Sequence, residues 1–182
     1  MGLFDIFKKK EEEPSYDPSN ITVHDLDYGF ILEYDLKSWK VEEVYEYDWG
    51  NNHFSWEYLI NSGDDKAFLH VSDDTGTKMT LTREIKIRKL DEDIVDIIVK
   101  TEKAPSKVFW EGEKYFLDAD SAGYCKDHGN NSNSWDELIS YDYYNENEDK
   151  IISITQWEER NFEAFAGVVL KNFEISNIIP SD

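Results

Sequence analysis

Two segments of the chain present tryptophan and asparagine in the same order, a combination that could bind a polar ligand such as a sugar. They run from Gly50 to Ile60 and from Gly129 to Ile139, and seven of their eleven aligned positions are identical. Asparagine amides both donate and accept hydrogen bonds, and tryptophan rings pack against the apolar faces of ligands. The predicted ligand-binding residues are Trp49, Asn51, Asn52, Trp56, Asn130, Asn131 and Trp135.

The same residues also have a structural explanation, which is the simpler one. Glycine and asparagine adopt the positive φ angles that hairpin turns require. Tryptophan rings commonly anchor a hydrophobic core. The pattern therefore marks two turns of similar chemistry and makes them the first place to look for a ligand.

A carboxylate follows the tryptophan in each segment, at Glu57 and Asp136. Paired carboxylates perform acid–base catalysis on glycosides, so a hydrolase acting on glycans is one alternative. In a strand, however, neighbouring side chains face opposite sides, which would turn both carboxylates away from the tryptophans and into solvent. With forty Asp and Glu residues in the chain, such a pair is weak evidence, and we predict a protein without catalytic residues.

No segment matches a metal or cofactor motif. The stretch from Asp118 begins like a calcium loop, but Ala122 occupies its fifth position and Gly129 occupies the twelfth, where a glutamate belongs. Cys125 and His128 form a single pair with no second pair to complete a zinc site. We predict neither a metal site nor a cofactor.

The charge of the chain narrows the choice of partner. Forty acidic residues against nineteen basic ones give a formal net charge of −21. Such a surface repels phosphate backbones, so we expect no nucleic-acid partner. It attracts cations, basic proteins and polyamines. We therefore predict a non-catalytic binding or adaptor module for a protein partner or a cationic ligand, with a glycan hydrolase and a polyamine or small-ligand sensor as alternatives.

The single cysteine, Cys125, excludes an intrachain disulfide and suits a cytoplasmic location. Residues 1–20 are predicted to form a flexible tail. In a helical turn Leu3, Phe4, Ile6 and Phe7 would share one apolar face, with lysines following. Apolar residues next to lysines suit an anionic membrane surface, so peripheral contact with the inner face of a membrane is an alternative role for the tail.

The remainder of the sequence indicates β structure. Short segments rich in β-branched and aromatic residues alternate with turn residues, at 31–34, 39–47, 54–60, 67–71 and 79–87. Residues 90–99 fit either a helix or a strand, and Ala104-Pro105-Ser106 marks a boundary.

After that boundary the series of segments begins again. Tyr34 and Trp39 have the same spacing as Trp110 and Tyr115. Leu69-His70-Val71 in turn aligns with Ile152-Ser153-Ile154. We predict a mainly β fold of two duplicated antiparallel β units, residues 21–103 and 104–182, packed as one compact domain. The units would form a pseudosymmetric sandwich or barrel pair, with at most one or two short helices.

The stretches His24–Tyr34, Trp39–Val41, Trp56–Leu59 and Phe68–Val71 resemble the bacterial domain-of-unknown-function family numbered 4178. Its pattern has a leading Asp-Leu-x-x-Gly, an aromatic residue followed by x-Val, and a Trp-x-Glu-Tyr strand. Leu36 departs from it, since the family tends to carry a turn glycine there. The resemblance implies a β-rich bacterial protein and carries over no catalytic residue.

Overall fold

The computed structural model describes residues 16–73, 76–129 and 134–180. Within these ranges the chain forms eleven strands, one α-helix and three single-turn 3-10 helices. The strands are β1 (Ile31–Tyr34), β2 (Lys37–Asp48), β3 (Phe54–Asn61), β4 (Lys66–Ser72), β5 (Lys78–Ile85), β6 (Lys107–Trp110), β7 (Glu113–Asp127), β8 (Asp136–Asn145), β9 (Lys150–Glu158), β10 (Asn161–Leu170) and β11 (Ser176–Ile179). The helix α1 spans Ile94–Thr101, and the 3-10 turns span Val23–Asp25, Ile87–Lys89 and Asn172–Glu174.

Eight of the strands form a closed antiparallel ring. The hydrogen-bonded order is β2-β3-β4-β5-β10-β9-β8-β7, and β7 returns to pair with β2. Strand β2 is long enough to serve two partners. Its first four residues pair with β1, and Tyr45 to Asp48 pair with β7. Strands β1 and β11 extend the sheet beyond β2, and β6 extends it beyond β7.

The hydrophobic residues of the ring pack in two cores, one for each half of the chain. The first core contains Val41, Tyr58 and Leu69, and the second contains Tyr143 and Ile152. All five belong to ring strands, so these side chains share the face of the sheet that is covered by flanking segments. Residues of the flanking segments complete each core. They are Leu26, Phe30 and Leu32 in the first core, and Leu90, Ile94, Ile98 and Val108 in the second.

Each core is completed by the segment that follows the last strand of the other half. After β5, the chain passes to the second core, where Ile94 and Ile98 of α1 are buried. After β10, the chain passes to the first core, where Ile175 is buried, and β11 then pairs with β1. The two halves therefore exchange their final segments, and neither core is complete without the other half.

The predicted mainly β, antiparallel architecture with few helices is confirmed, and the helix α1 begins within the segment 90–99 and extends to Thr101. The two halves also share one strand order, β1 to β5 and β6 to β10. Tyr34 and Trp110 end the equivalent strands β1 and β6. The duplication itself, and the division into two units, stay predictions.

The alignment of Trp56 with Trp135 does not hold in the strand register. Both halves have a bulge, after Val41 in β2 and after Leu117 in β7, and these residues pair with Ile60 and Tyr143. Ile60 and Tyr143 are therefore equivalent positions in the two halves. Counting back four residues from each makes Ile139 the equivalent of Trp56, so the sequence alignment with Trp135 is shifted by four residues. The alignment therefore reflects residue types that the two segments share and not equivalent positions in the strands.

Among the described residues, no helix has the length and apolar character that crossing a membrane requires.

Gly167 tests the contact between the halves, because it lies in the β5·β10 ladder opposite Thr82. A Cβ atom at this position would lie 1.9 Å from the carbonyl oxygen of Leu81. We expect Gly167→Ala to lower the free energy of unfolding by about 3 kcal/mol or more, since backbone must move. The measurement is the urea midpoint. Gly129→Ala is the control, because only a flexible Asp127 oxygen lies near its Cβ, at 3.2 Å. Equal midpoints for the two variants would contradict the close β5·β10 contact.

Candidate functional site

The inward face of the ring carries many polar residues beside a smaller number of apolar ones. Alternate residues of a strand face opposite sides, so strands with apolar residues in the covered cores direct their polar residues into the ring. The interior contains a partly enclosed cavity of about 170 Å³. Its lining includes the charged or imidazole side chains of His53, Glu57, His70, Lys78 and Asp142, the aromatic residues Tyr47, Trp49, Tyr144 and Phe165, and seven serine and threonine residues.

Glu57 of β3 is at the centre of one wall. It pairs with His70 of β4, which pairs in turn with Thr80 of β5. The Glu57 side chain is 19% exposed, and its Oε2 lies 3.7 Å from Nδ1 of His70. The expectation that Glu57 faces solvent is wrong. Its neighbour Trp56 packs on the first core, which turns Glu57 into the ring.

Tyr47 and Trp49 form an aromatic wall beside Glu57. Their rings are stacked, with centroids 5.5 Å apart and planes 3° from parallel. The Tyr47 hydroxyl donates to Oε1 of Glu57 at 3.0 Å. Burial, together with the Glu57 carboxylate, holds the pKa of Tyr47 well above its ordinary value. Tyr47 therefore remains a neutral donor to the carboxylate.

The position of Trp49 depends on two small residues. Its Nε1 donates to Oγ of Ser55 at 2.8 Å. Its ring lies against Gly123 of β7, where a Cβ atom would be 2.7 Å from Trp49 Cε3. Because β7 has no side chain at Gly123, the indole of Trp49, which follows β2, can pack there and line the cavity.

The second half contributes a carboxylate to the same cavity. Asp142 of β8 accepts a hydrogen bond from the Ser153 hydroxyl at 2.7 Å and a longer one from Ser140 at 3.3 Å. By the bulge-matched register, Ser140 is the counterpart of Glu57. The carboxylate is therefore not at equivalent positions in β3 and β8. In β8 it lies two residues beyond the counterpart of Glu57.

Of the ligand-binding residues predicted from sequence, Trp49 lines the cavity. Asn51 and Asn52 are exposed turn residues with φ of 54° and 60°. Trp56 is half-buried, with its ring 5.8 Å from that of His128. Trp135 is 38% exposed and lies 5.9 Å from Nζ of Lys126. Asn130 and Asn131 lie outside the described residues, as do Leu3, Phe4, Ile6 and Phe7 of the tail. The structure does not test whether any of these residues binds a ligand.

The sequence interpretation missed the inward polar residues. The signal was present, because β3, β4 and β5 alternate polar with apolar residues, as in Ser55 and Glu57 or His70 and Ser72. Alternation of this kind is usually interpreted as one buried and one solvent-facing side. The sequence of a single strand does not show that its polar side faces the interior of a closed ring of strands.

The arrangement is suited to binding a polar, positively charged group. Glu57 and Asp142 provide acceptors, and the faces of Tyr47 and Trp49 attract cations. Among residues 16–73, 76–129 and 134–180, no group of three or more His, Cys, Asp or Glu residues is placed to hold a metal ion.

One family model matches most of the chain. The family model described as "Domain of unknown function (DUF4178)" matches residues 27–172. A relative from Aquifex aeolicus (strain VF5), described as "Uncharacterized protein", is 29% identical over 177 residues, covering 96% of this chain and 94% of its own. No solved structure matches the chain.

Two buried tyrosines allow a matched test of the interior hydrogen bond. We expect Tyr47→Phe to cost about 1.5–3 kcal/mol of unfolding free energy, because the Glu57 carboxylate loses its donor. Tyr143 lies in the second core, and its buried hydroxyl has no hydrogen-bond partner. Tyr143→Phe should therefore be neutral or stabilising. Chemical denaturation measures both, and an equal loss in the two variants would contradict the assigned role of Tyr47.

Cys125 reports on the closure of the ring, since it pairs with Tyr47 where β7 meets β2. Burial raises the pKa of its thiol from 9.0 to about 12. The reactive thiolate is then roughly a thousandfold less populated than in an exposed cysteine. We expect a thiol reagent at neutral pH to label the native protein at least that much more slowly than the urea-unfolded protein. Similar rates in both states would show that the β2·β7 ladder opens readily.

Proposed function

The chain belongs to the family DUF4178, a domain of unknown function, and we propose that it is a non-catalytic binding module that holds a small amine-bearing ligand inside its ring of strands. The observation that supports this proposal is the polar cavity around Glu57, with its aromatic wall and a second carboxylate at Asp142.

The polarity of the interior favours a ligand over a purely structural role. Small closed rings of strands are normally filled by close-packed apolar side chains. Burying polar groups costs free energy unless they are hydrogen-bonded. A cavity of about 170 Å³ has room for several water molecules, or for a small organic molecule that replaces them.

The negative charge of the cavity carboxylates and the faces of its aromatic rings favour an amine as the ligand. An ammonium group donates hydrogen bonds to carboxylates, and Glu57 keeps Oε2 directed toward His70 at a long 3.7 Å. Coulomb attraction is stronger in a partly enclosed site than in open water. The stacked Tyr47 and Trp49 rings add a favourable surface for a cation.

A glycan hydrolase stays an alternative, but the two carboxylates suggested for it from the sequence, Glu57 and Asp136, do not line one cavity. Glu57 lines the cavity, whereas Asp136 is an exposed residue at the start of β8. A polyamine or other small-ligand sensor falls within the amine-binding proposal. An adaptor role with a protein partner, the absence of nucleic-acid binding, a cytoplasmic location and peripheral membrane contact all stay predictions.

Calorimetric titration with butylamine tests the proposal, with butanol as an uncharged probe of similar size. We expect butylamine to bind more tightly than butanol, because only the amine pairs with Glu57. Glu57→Gln should weaken butylamine binding by tenfold or more, since a hydrogen bond to a charged group is lost. The matched control is Glu92→Gln, an exposed residue before α1. Absence of butylamine binding, or equal affinity for both variants, would overturn the proposal.

A further inference from the structure

One mouth of the ring carries groups that favour an anion. Along the ladders, Ser55 of β3 pairs with Ser72 of β4, which pairs with Lys78 of β5. This row lies two residues from the row formed by Glu57, His70 and Thr80. Lys78, Ser72 and His53 all line the cavity that contains Glu57.

Lys78 is available for a ligand. Its Nζ lies 4.2 Å from the centroid of the Tyr144 ring, across the mouth of the cavity. Among the described residues, no carboxylate forms an ion pair with it, although eight other basic side chains have such partners. Lys78 is exposed at the start of β5, so its ammonium group is accessible to a ligand that enters the cavity.

His53 provides the second group. Its backbone is fixed in the turn after β2, where its N–H donates to Gly50 and its carbonyl accepts from Trp49. Its ring nitrogen Nε2 is buried and has no hydrogen-bond partner within the described part of the chain. A buried polar atom without a partner costs free energy, and a ligand group that bonds with it removes that cost.

The distance between the two rows limits the ligand. Residues of one strand rise about 3.3 Å each, so the Lys78 row and the Glu57 row lie roughly 6.6 Å apart. This is a separation of backbone rows, and the flexible Lys78 side chain adjusts the distance between the charged groups, so a ligand whose charges are joined by three or four carbon atoms is a suitable probe. A diamine would place its second ammonium beside Lys78, where like charges repel.

We infer that the ligand is a zwitterion, an ω-amino acid whose ammonium group binds at Glu57 and Asp142 and whose carboxylate binds at Lys78 and His53. The inference rests on the proposed function, because it assigns the ligand class of the same cavity.

The test compares three probes by calorimetry on the full chain: 4-aminobutyrate, butylamine and butyrate. We expect 4-aminobutyrate to bind at least tenfold more tightly than butylamine, and butyrate to bind least tightly. Lys78→Met should remove the advantage of 4-aminobutyrate while leaving butylamine affinity unchanged or slightly higher. Lys86→Met, an exposed residue beyond β5, is the matched control and should change neither affinity.

A second variant guards against an indirect effect of Lys78. His53→Phe keeps a ring in the turn and removes its nitrogens, so it should also reduce the advantage of 4-aminobutyrate. Equal binding of butylamine and 4-aminobutyrate, or an unchanged advantage in Lys78→Met, would overturn the inference and leave the proposed function standing. Failure of butylamine and 4-aminobutyrate alike would overturn both.

Discussion

The structure depends on the antiparallel ladder between β5 and β10. Both strands contribute to both cores: Met79 and Leu81 at the start of β5 pack in the first, and Ile85 at its end packs against the second. Ala164 and Leu170 of β10 do the reverse. Each of the two strands therefore begins in the core of its own half and ends in the core of the other half. The segment that follows each strand consequently packs on the other half. The absence of a side chain at Gly167 allows the backbones to approach there.

This exchange explains why the ring interior is polar. Folding requires burial of apolar area, and the two outer cores provide it under α1, β1, β6 and the 3-10 turns. The inward face then needs only a small apolar cluster, which Tyr47, Cys125 and Leu138 form. It retains serine, threonine, carboxylate and imidazole groups together with aromatic rings, an arrangement that a single close-packed interior would not tolerate.

Local patterns in the sequence predict the strands well, and predict the face and partner of each strand poorly. The spacing of Tyr34 and Trp39 recurs in Trp110 and Tyr115, and all four residues occupy matching places in the two β-hairpins. The ring closes through four residue pairs between β2 and β7, which are far apart in the sequence. The spacing of residues within one segment cannot predict such a pairing. The orientation of Glu57 follows from that closure, so it could not be predicted from alternation alone. Seven identical residues made Trp56 and Trp135 look equivalent, although their positions differ in the strand register.

The charge of the chain and the charge of the cavity have separate physical roles. The acidic surface keeps like molecules apart and attracts cations from a distance. Inside the ring, Glu57, Asp142 and Lys78 line one cavity, and we propose that they select its ligand. A crystal structure grown with a saturating primary amine tests the central claim most directly. The account predicts a closed β2·β7 ladder with the ligand nitrogen within hydrogen-bond distance of a Glu57 oxygen. A ring interior filled by protein side chains, with Glu57 turned to solvent, would contradict it.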